Sequence, residues 1–233
     1  MESIEAALKE LEPKFDDWSI KLTGYLQTFH TLEKKGTSEE AEIIAFGFAN
    51  KLNEILEFAI KQNRLKDTWQ PTMFMPYLDG LEISKQSART ESKFEFGIDT
   101  KGFYLQLRPH HLSNLKYMDD EFWEMFLQLS KWGEFDFVVH ESVGKVETVR
   151  KGNNLNVGKS KIFNLLKNYL LFELYAEETY SFGSIRLNWP FPYFWEDLVQ
   201  NLTIAFESCC KLDYLLWKTT YQKSMDKRKL KTK

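Results

Sequence analysis

The chain has 233 residues, with 31 Lys and Arg against 34 Asp and Glu for a net charge of −3. That length suits one large domain or two small ones, and the near-balanced charge gives no global electrostatic case for a nucleic-acid binder. The two cysteines, Cys209 and Cys210, are adjacent and cannot staple distant segments, so a disulfide scaffold is excluded.

The start, MESIEAALKELEP, is acidic and amphipathic rather than basic and then apolar, unlike a signal peptide. No apolar run approaches the roughly 18 residues of a membrane span. The expectation is a cytoplasmic protein without a membrane partner. Its 19 Phe, 10 Tyr and 7 Trp suffice for a large core.

In chain order, residues 14–35 come first. Phe15, Trp18, Leu22, Tyr25, Leu26 and Phe29 recur at helical steps, and Gly36 ends the pattern. Thr37 and Glu40 form a capping box for a second helix over 41–63, striped by Ile44, Phe48, Leu52, Ile55, Leu56 and Ala59. The short connection predicts a helical hairpin over 14–64. From Trp69 the period changes. Pro71 and Pro76 break helix, and 73–83 reads as a strand.

Two alternating runs, 93–98 and 103–108, flank the polar turn 99–102 and predict a β-hairpin. Phe94, Phe96, Ile98, Phe103, Leu105 and Leu107 make one face. Lys93, Glu95, Tyr104, Gln106 and Arg108 make the other, expected to be solvated. Asp119 or Asp120 caps a helix to Trp132, with Gly133 as its stop. A strand over 134–142, a tight turn at Gly144-Lys145 and a polar loop over 152–158 follow. Residues 159–178 fit helix or strand, and Ile185, Leu187 and Trp189 alternate as a late strand.

Pro190 and Pro192 precede a last helix over 193–222. Its stripe of Trp195, Leu198, Leu202, Ala205, Phe206, Cys209 and Leu216 is widened by Tyr214, Leu215 and Trp217, which predicts burial on two sides. Residues 223–233 hold six basic side chains and one acid, expected as a flexible basic tail that could touch nucleic acid or an acidic partner. The predicted class is α+β in a single domain over 1–222. An N-terminal helical hairpin, a central antiparallel or mixed sheet built from β-hairpins and a long C-terminal helix packed on the sheet are its parts.

Gly97-Ile98-Asp99 followed by Gln106-Leu107-Arg108 resembles the Gly-x-Asp…Gln-x-Lys variant of the PD-(D/E)xK nuclease core. The order helix (41–63), strands, helix (119–132), strand (134–142) is also similar to that core. The resemblance implies Mg²⁺ or Mn²⁺ held by Asp99, with Gln106 and Arg108 beside it. Arg108 stands where the family has Lys, and Arg does not readily shuttle a proton. A second fit pairs Asp79 with Glu91-Ser92-Lys93, which places Glu91 on the metal and Lys93 on the same face.

Gly158-Lys159-Ser160 ends like a phosphate loop, but Asn153 holds the position of its first Gly. His110 and His111 could meet His140 and Asp136 in a metal site if the hairpin and the 134–142 strand were neighbours, and His30 reads as structural. No Gly-x-Ser-x-Gly, HExxH or CxxC occurs. Between Trp189 and Trp195 lie five aromatics and two prolines. Trp189, Phe191, Tyr193, Phe194 and Trp195 form either core or a stiff protein-binding hot spot.

The expectation is a non-enzymatic protein-interaction module without a cofactor, self-association included. The alternative is a metal-dependent nuclease, or an inactive relative, acting on nucleic acid. Its catalytic residues would be Asp99, Gln106 and Arg108 with the metal on Asp99, or else Glu91 and Lys93 with the metal on Glu91.

Overall fold

The computed structural model describes residues 39–77, 80–99, 101–138, 155–156, 184–191 and 195–231. The elements are α1 (Glu39–Gln62), β1 (Met73–Tyr77), β2 (Gly80–Gln86), β3 (Lys93–Asp99) and β4 (Gly102–Arg108). After them come α2 (Asp120–Gln128), β5 (Glu134–Val138), β6 (Leu155–Asn156), β7 (Ser184–Pro190) and α3 (Trp195–Lys231). The strands form one sheet in the order β1-β2-β3-β4-β7-β5-β6, with every pairing antiparallel.

The β3–β4 hairpin pairs Phe94 with Leu107, Phe96 with Leu105 and Ile98 with Phe103, as the alternation requires. Asp99 Oδ1 closes the turn by accepting from the backbone N–H of Lys101 at 2.8 Å and of Gly102 at 3.1 Å. Gly102 lies so close to β7 that a Cβ would collide with the Trp189 carbonyl. The single strand expected over 73–83 is instead two, β1 and β2, with Tyr77 opposite Gly80. Pro76 is tolerated because β1 is an edge strand, where a missing N–H need not cost a ladder bond.

The apolar face of the sheet carries Ile83, Phe94, Phe96, Leu105, Leu107, Leu187 and Trp189. Onto it pack Leu52, Ile55 and Leu56 of α1 and Leu202, Phe206 and Leu212 of α3, all buried. Each such side chain contributes about 2 kcal/mol by leaving water. Asp119 caps α2 by accepting from the Phe122 N–H at 3.1 Å, so Phe122 and Phe126 point into the core.

Helix α3 runs to Lys231, so the basic segment from 223 to 231 is the end of this helix. No helix among the described residues is long and apolar enough to cross a membrane. The expected helix over 14–35, the phosphate-loop-like Gly158-Lys159-Ser160, the ambiguous 159–178 segment and the residues Asp79, His30 and His140 lie outside the described residues.

Candidate functional site

The middle of the sheet's polar face is not solvated, contrary to expectation, and only Lys93 and Arg108 of its expected members reach water in part. Glu95 is fully buried, and Ser84, Tyr104, Gln106 and Ser184 are nearly so. Alternation marks which side chains are polar; it does not say whether a further layer covers them. A buried carboxylate must be paired, and Glu95 is. It accepts from Gln106 Nε2 at 2.7 Å and Arg108 Nε at 2.7 Å, and meets Lys93 Nζ at 2.9 Å.

One pair of strand positions away, Tyr104 OH donates to Glu82 at 2.7 Å. Burial, and then the nearby Glu95 charge, hold Glu82 above the usual carboxylate range. The Tyr104 ring covers Gly97, where a Cβ would collide with it. Arg186 lies 3.7 Å from the Tyr104 ring centroid and pairs with Asp99 at 2.9 Å.

The nuclease-like residues are therefore split. Lys93, Gln106 and Arg108 converge, but on Glu95, which neither motif fit includes. Asp99 ends β3, occupied by its turn and by Arg186. Glu91 precedes the other end of β3, exposed, at φ 61°, with His110 Nε2 at 3.4 Å. Asp99 and Glu91, the acids of the two alternative fits, stand at opposite ends of β3, and Asp79, the other acid of the second fit, lies outside the described residues.

His110 and His111 meet edge to face, with centroids 4.9 Å apart, and His111 Nδ1 lies 3.2 Å from Thr220 Oγ1. Burial, reinforced by His110, lowers the His111 pKa. Among the described residues no three His, Cys, Asp or Glu side chains are grouped to hold a metal.

Trp189 is core, the first of the two readings of this segment, and so is not part of an exposed hot spot. It shares the strand face of Ile185 and Leu187, is fully buried, and donates from Nε1 to the Trp132 carbonyl at 2.6 Å. Phe191 is half-buried and packs edge-on against Phe103 at 5.6 Å. Tyr193, Phe194 and the side chain of Trp195 lie outside the described residues.

An exposed aromatic surface lies elsewhere, on the C-terminal half of α3. Tyr214, Trp217 and Tyr221 stack in a ladder, with centroids 5.5 and 5.2 Å apart. Tyr214 and Tyr221 are 42% and 50% exposed. Arg89, from the β2–β3 loop, lies 6.0 Å from the Trp217 ring centroid. The expected burial on two sides thus fails for Tyr214, because it lies about 200° around the helix from the buried Leu212. The spacing of Tyr214, Trp217 and Tyr221, interleaved with Lys211 and Lys218, is the signal that marks this face.

Beside the ladder lies a pocket of about 330 Å³ walled by Trp69, Phe94, Tyr214 and Leu215, with Asp67 and Asp213 among its polar groups. Asp213 is buried and accepts from Ser92 Oγ at 2.6 Å; burial pushes its pKa up to about 6. Asp67 accepts from the Thr68 N–H at 2.7 Å and from Ser87 Oγ at 2.5 Å. Burial also raises the Cys209 and Cys210 thiols, which keeps them protonated and weakly nucleophilic. Comparison with protein-family models, with curated proteins and with solved structures finds no match to this chain.

Proposed function

We propose that the chain is a non-catalytic protein-interaction module that docks an acidic polypeptide on the C-terminal half of α3. The observation that supports this reading is the exposed Tyr214–Trp217–Tyr221 ladder flanked by cationic side chains. Residues 211–231 hold seven basic residues against two acids, in a chain that is otherwise acidic. Tyr, Trp and Arg are the residue types that dominate binding energy at protein interfaces, because they bury much area and lose little rotamer freedom. Within the ladder the rings already lean on one another. They offer edges and hydroxyls to a polypeptide rather than open faces to a stack of bases.

The metal-dependent nuclease reading has less behind it. Asp99 is occupied by its own turn and by Arg186, several residues from Gln106, and Glu95, on which Lys93, Gln106 and Arg108 converge, is neutralised by Lys93 and Arg108.

The test is a titration of the full chain with a labelled peptide in which Glu alternates with Leu and Phe. Saturable binding in the micromolar range is expected, weakened about tenfold by Tyr221→Ala and by Trp217→Ala. Tighter binding of a single-stranded oligonucleotide would overturn the reading in favour of nucleic acid. Dimerisation through the ladder, seen by light scattering and lost in the same variants, would overturn it in favour of a second copy.

A further inference from the structure

The pocket beside α3 is continuous with the aromatic ladder, because two side chains belong to both. Tyr214 begins the ladder and lines the pocket. Arg89 lines the pocket and lies 6.0 Å from the Trp217 ring centroid. The pocket's walls are mostly hydrocarbon. Leu65, Met125 and Leu215 line it and are only partly buried against the core, so apolar surface is left in contact with water. Its polar groups are of two kinds. Asp213 is buried and held by Ser92 Oγ, and Asp67 accepts from the Thr68 N–H and Ser87 Oγ, so neither carboxylate needs a ligand. The exposed charges of the lining are Lys66, Arg89 and Lys211 against Glu121. Lys211 pairs with Glu207 on its own helix, whereas Arg89 donates to the Lys66 carbonyl, which sets two cations side by side at the rim.

We propose that this pocket receives one large apolar side chain of the acidic polypeptide, with an acidic residue beside it in that polypeptide meeting Arg89 and Lys66. The inference rests on the peptide-docking reading and names the anchor within it. A cavity of about 330 Å³ lies at the small end of ligand pockets and has room for a Phe, Leu or Met side chain. Hot spots at interfaces are large side chains seated in such pockets, ringed by contacts that exclude water. The ladder and the rim supply that ring here. Charge chooses the neighbours of the anchor: a basic residue beside it would face Lys66 and Arg89, and an acidic one would pair with them.

The experiment uses the full chain and a labelled Glu-rich peptide with a single Phe, beside the same peptide with Ala in its place. The alternating Glu, Leu and Phe peptide of the docking test is the control. The Phe peptide should bind at least about tenfold more tightly than the Ala peptide. Met125→Trp, which fills the cavity from α2, should remove most of that difference, its fold checked by circular dichroism. A photoreactive benzoylphenylalanine in place of the Phe should cross-link the unmodified chain at Leu65, Met125 or Leu215, mapped by mass spectrometry. Failure of all three peptides to bind would overturn the anchor and the docking reading together. Equal binding of the Phe and Ala peptides, still lost in Trp217→Ala and Tyr221→Ala, would overturn the anchor alone. Cross-links confined to residues outside the pocket would do the same. A Phe preference that Met125→Trp removes and the ladder variants leave intact would uphold the anchor and overturn the ladder as the docking surface.

Discussion

The Ser92 hydroxyl donates to the Asp213 carboxylate at 2.6 Å, joining the β2–β3 loop to the middle of α3 across 121 positions of sequence. The His110 N–H donates to the same Ser92 oxygen at 2.9 Å, so the loop, the end of β4 and α3 meet at one point. Asp213 is 2% exposed. Burial raises its pKa from the ordinary 3.8 to about 6, with the Asp67 charge adding to the rise and the hydrogen bonds from Ser92 and Thr90 opposing it.

That shift makes stability depend on pH with a definite sign. Between about pH 4 and 6 the unfolded chain has lost the Asp213 proton while the folded chain keeps it. The folded state then binds more protons, so its stability falls as pH rises through this window and levels off above it. The full effect is at most about 3 kcal/mol. Asp213→Asn removes this titration. Urea midpoints of the two proteins at pH 4, 5, 6 and 7 should therefore show the variant gaining on the wild type up to pH 6. A difference that stays flat with pH would mean that Asp213 titrates as an ordinary carboxylate.

Glu95 holds the polar face together. Glu95→Gln keeps the shape but removes the charge that Lys93 and Arg108 face. Breaking a buried pair costs about 3–5 kcal/mol. The Lys93 and Arg108 side chains are 29% and 41% exposed, so water relieves part of this, leaving roughly 2–4 kcal/mol. Arg108→Ala should cost less, because Glu95 keeps Lys93 and Gln106. Chemical denaturation of both variants checks the ranking.

Trp189→Phe tests whether that ring is core. The variant leaves a void among buried side chains and strips the Trp132 carbonyl of its 2.6 Å donor. The expected loss is about 2–3 kcal/mol, read by thermal or urea unfolding. A neutral result would mean that the site collapses around the smaller ring or that Trp189 faces solvent.

Much of the frame was legible in the residues. The hairpin from Lys93 to Arg108, α1 under its apolar stripe, the Asp119 cap and the Ile185-Leu187-Trp189 alternation each carry their own local signal. Three things had no such signal. The β1–β2 reversal lies inside one apolar run, where Pro76 argues against a strand until β1 is known to be at the edge. The burial of Glu95 among Gln106, Arg108 and Lys93 is encoded by no period in the hairpin. The pocket is a third case: Trp69, Asp67 and Asp213 are brought together by tertiary packing, and Asp213 sits in α3 between the buried Leu212 and the exposed Tyr214. The nuclease-like spacing was legible too, but it says nothing of pairing: Asp99 and Gln106 lie on adjacent strands several residues out of register.

Gly97 and Tyr104 give the sharpest test of the sheet's polar face. They are direct cross-strand partners, and the Tyr104 ring lies where a Gly97 side chain would be. Ring and glycine thus occupy one volume between them. The ring is also fixed elsewhere: its hydroxyl is on Glu82, and Arg186 lies over it. Gly97→Ala must push the ring away from one or both, at a cost of about 1–3 kcal/mol. With Tyr104→Ala the volume is empty, and the added methyl meets no ring. The second Gly97→Ala, made in that background, should then be nearly neutral or slightly stabilising. The two substitutions should couple by at least about 1 kcal/mol in a double-mutant cycle read by urea unfolding. Additive effects would mean that the glycine is required for its backbone and not for the ring that covers it.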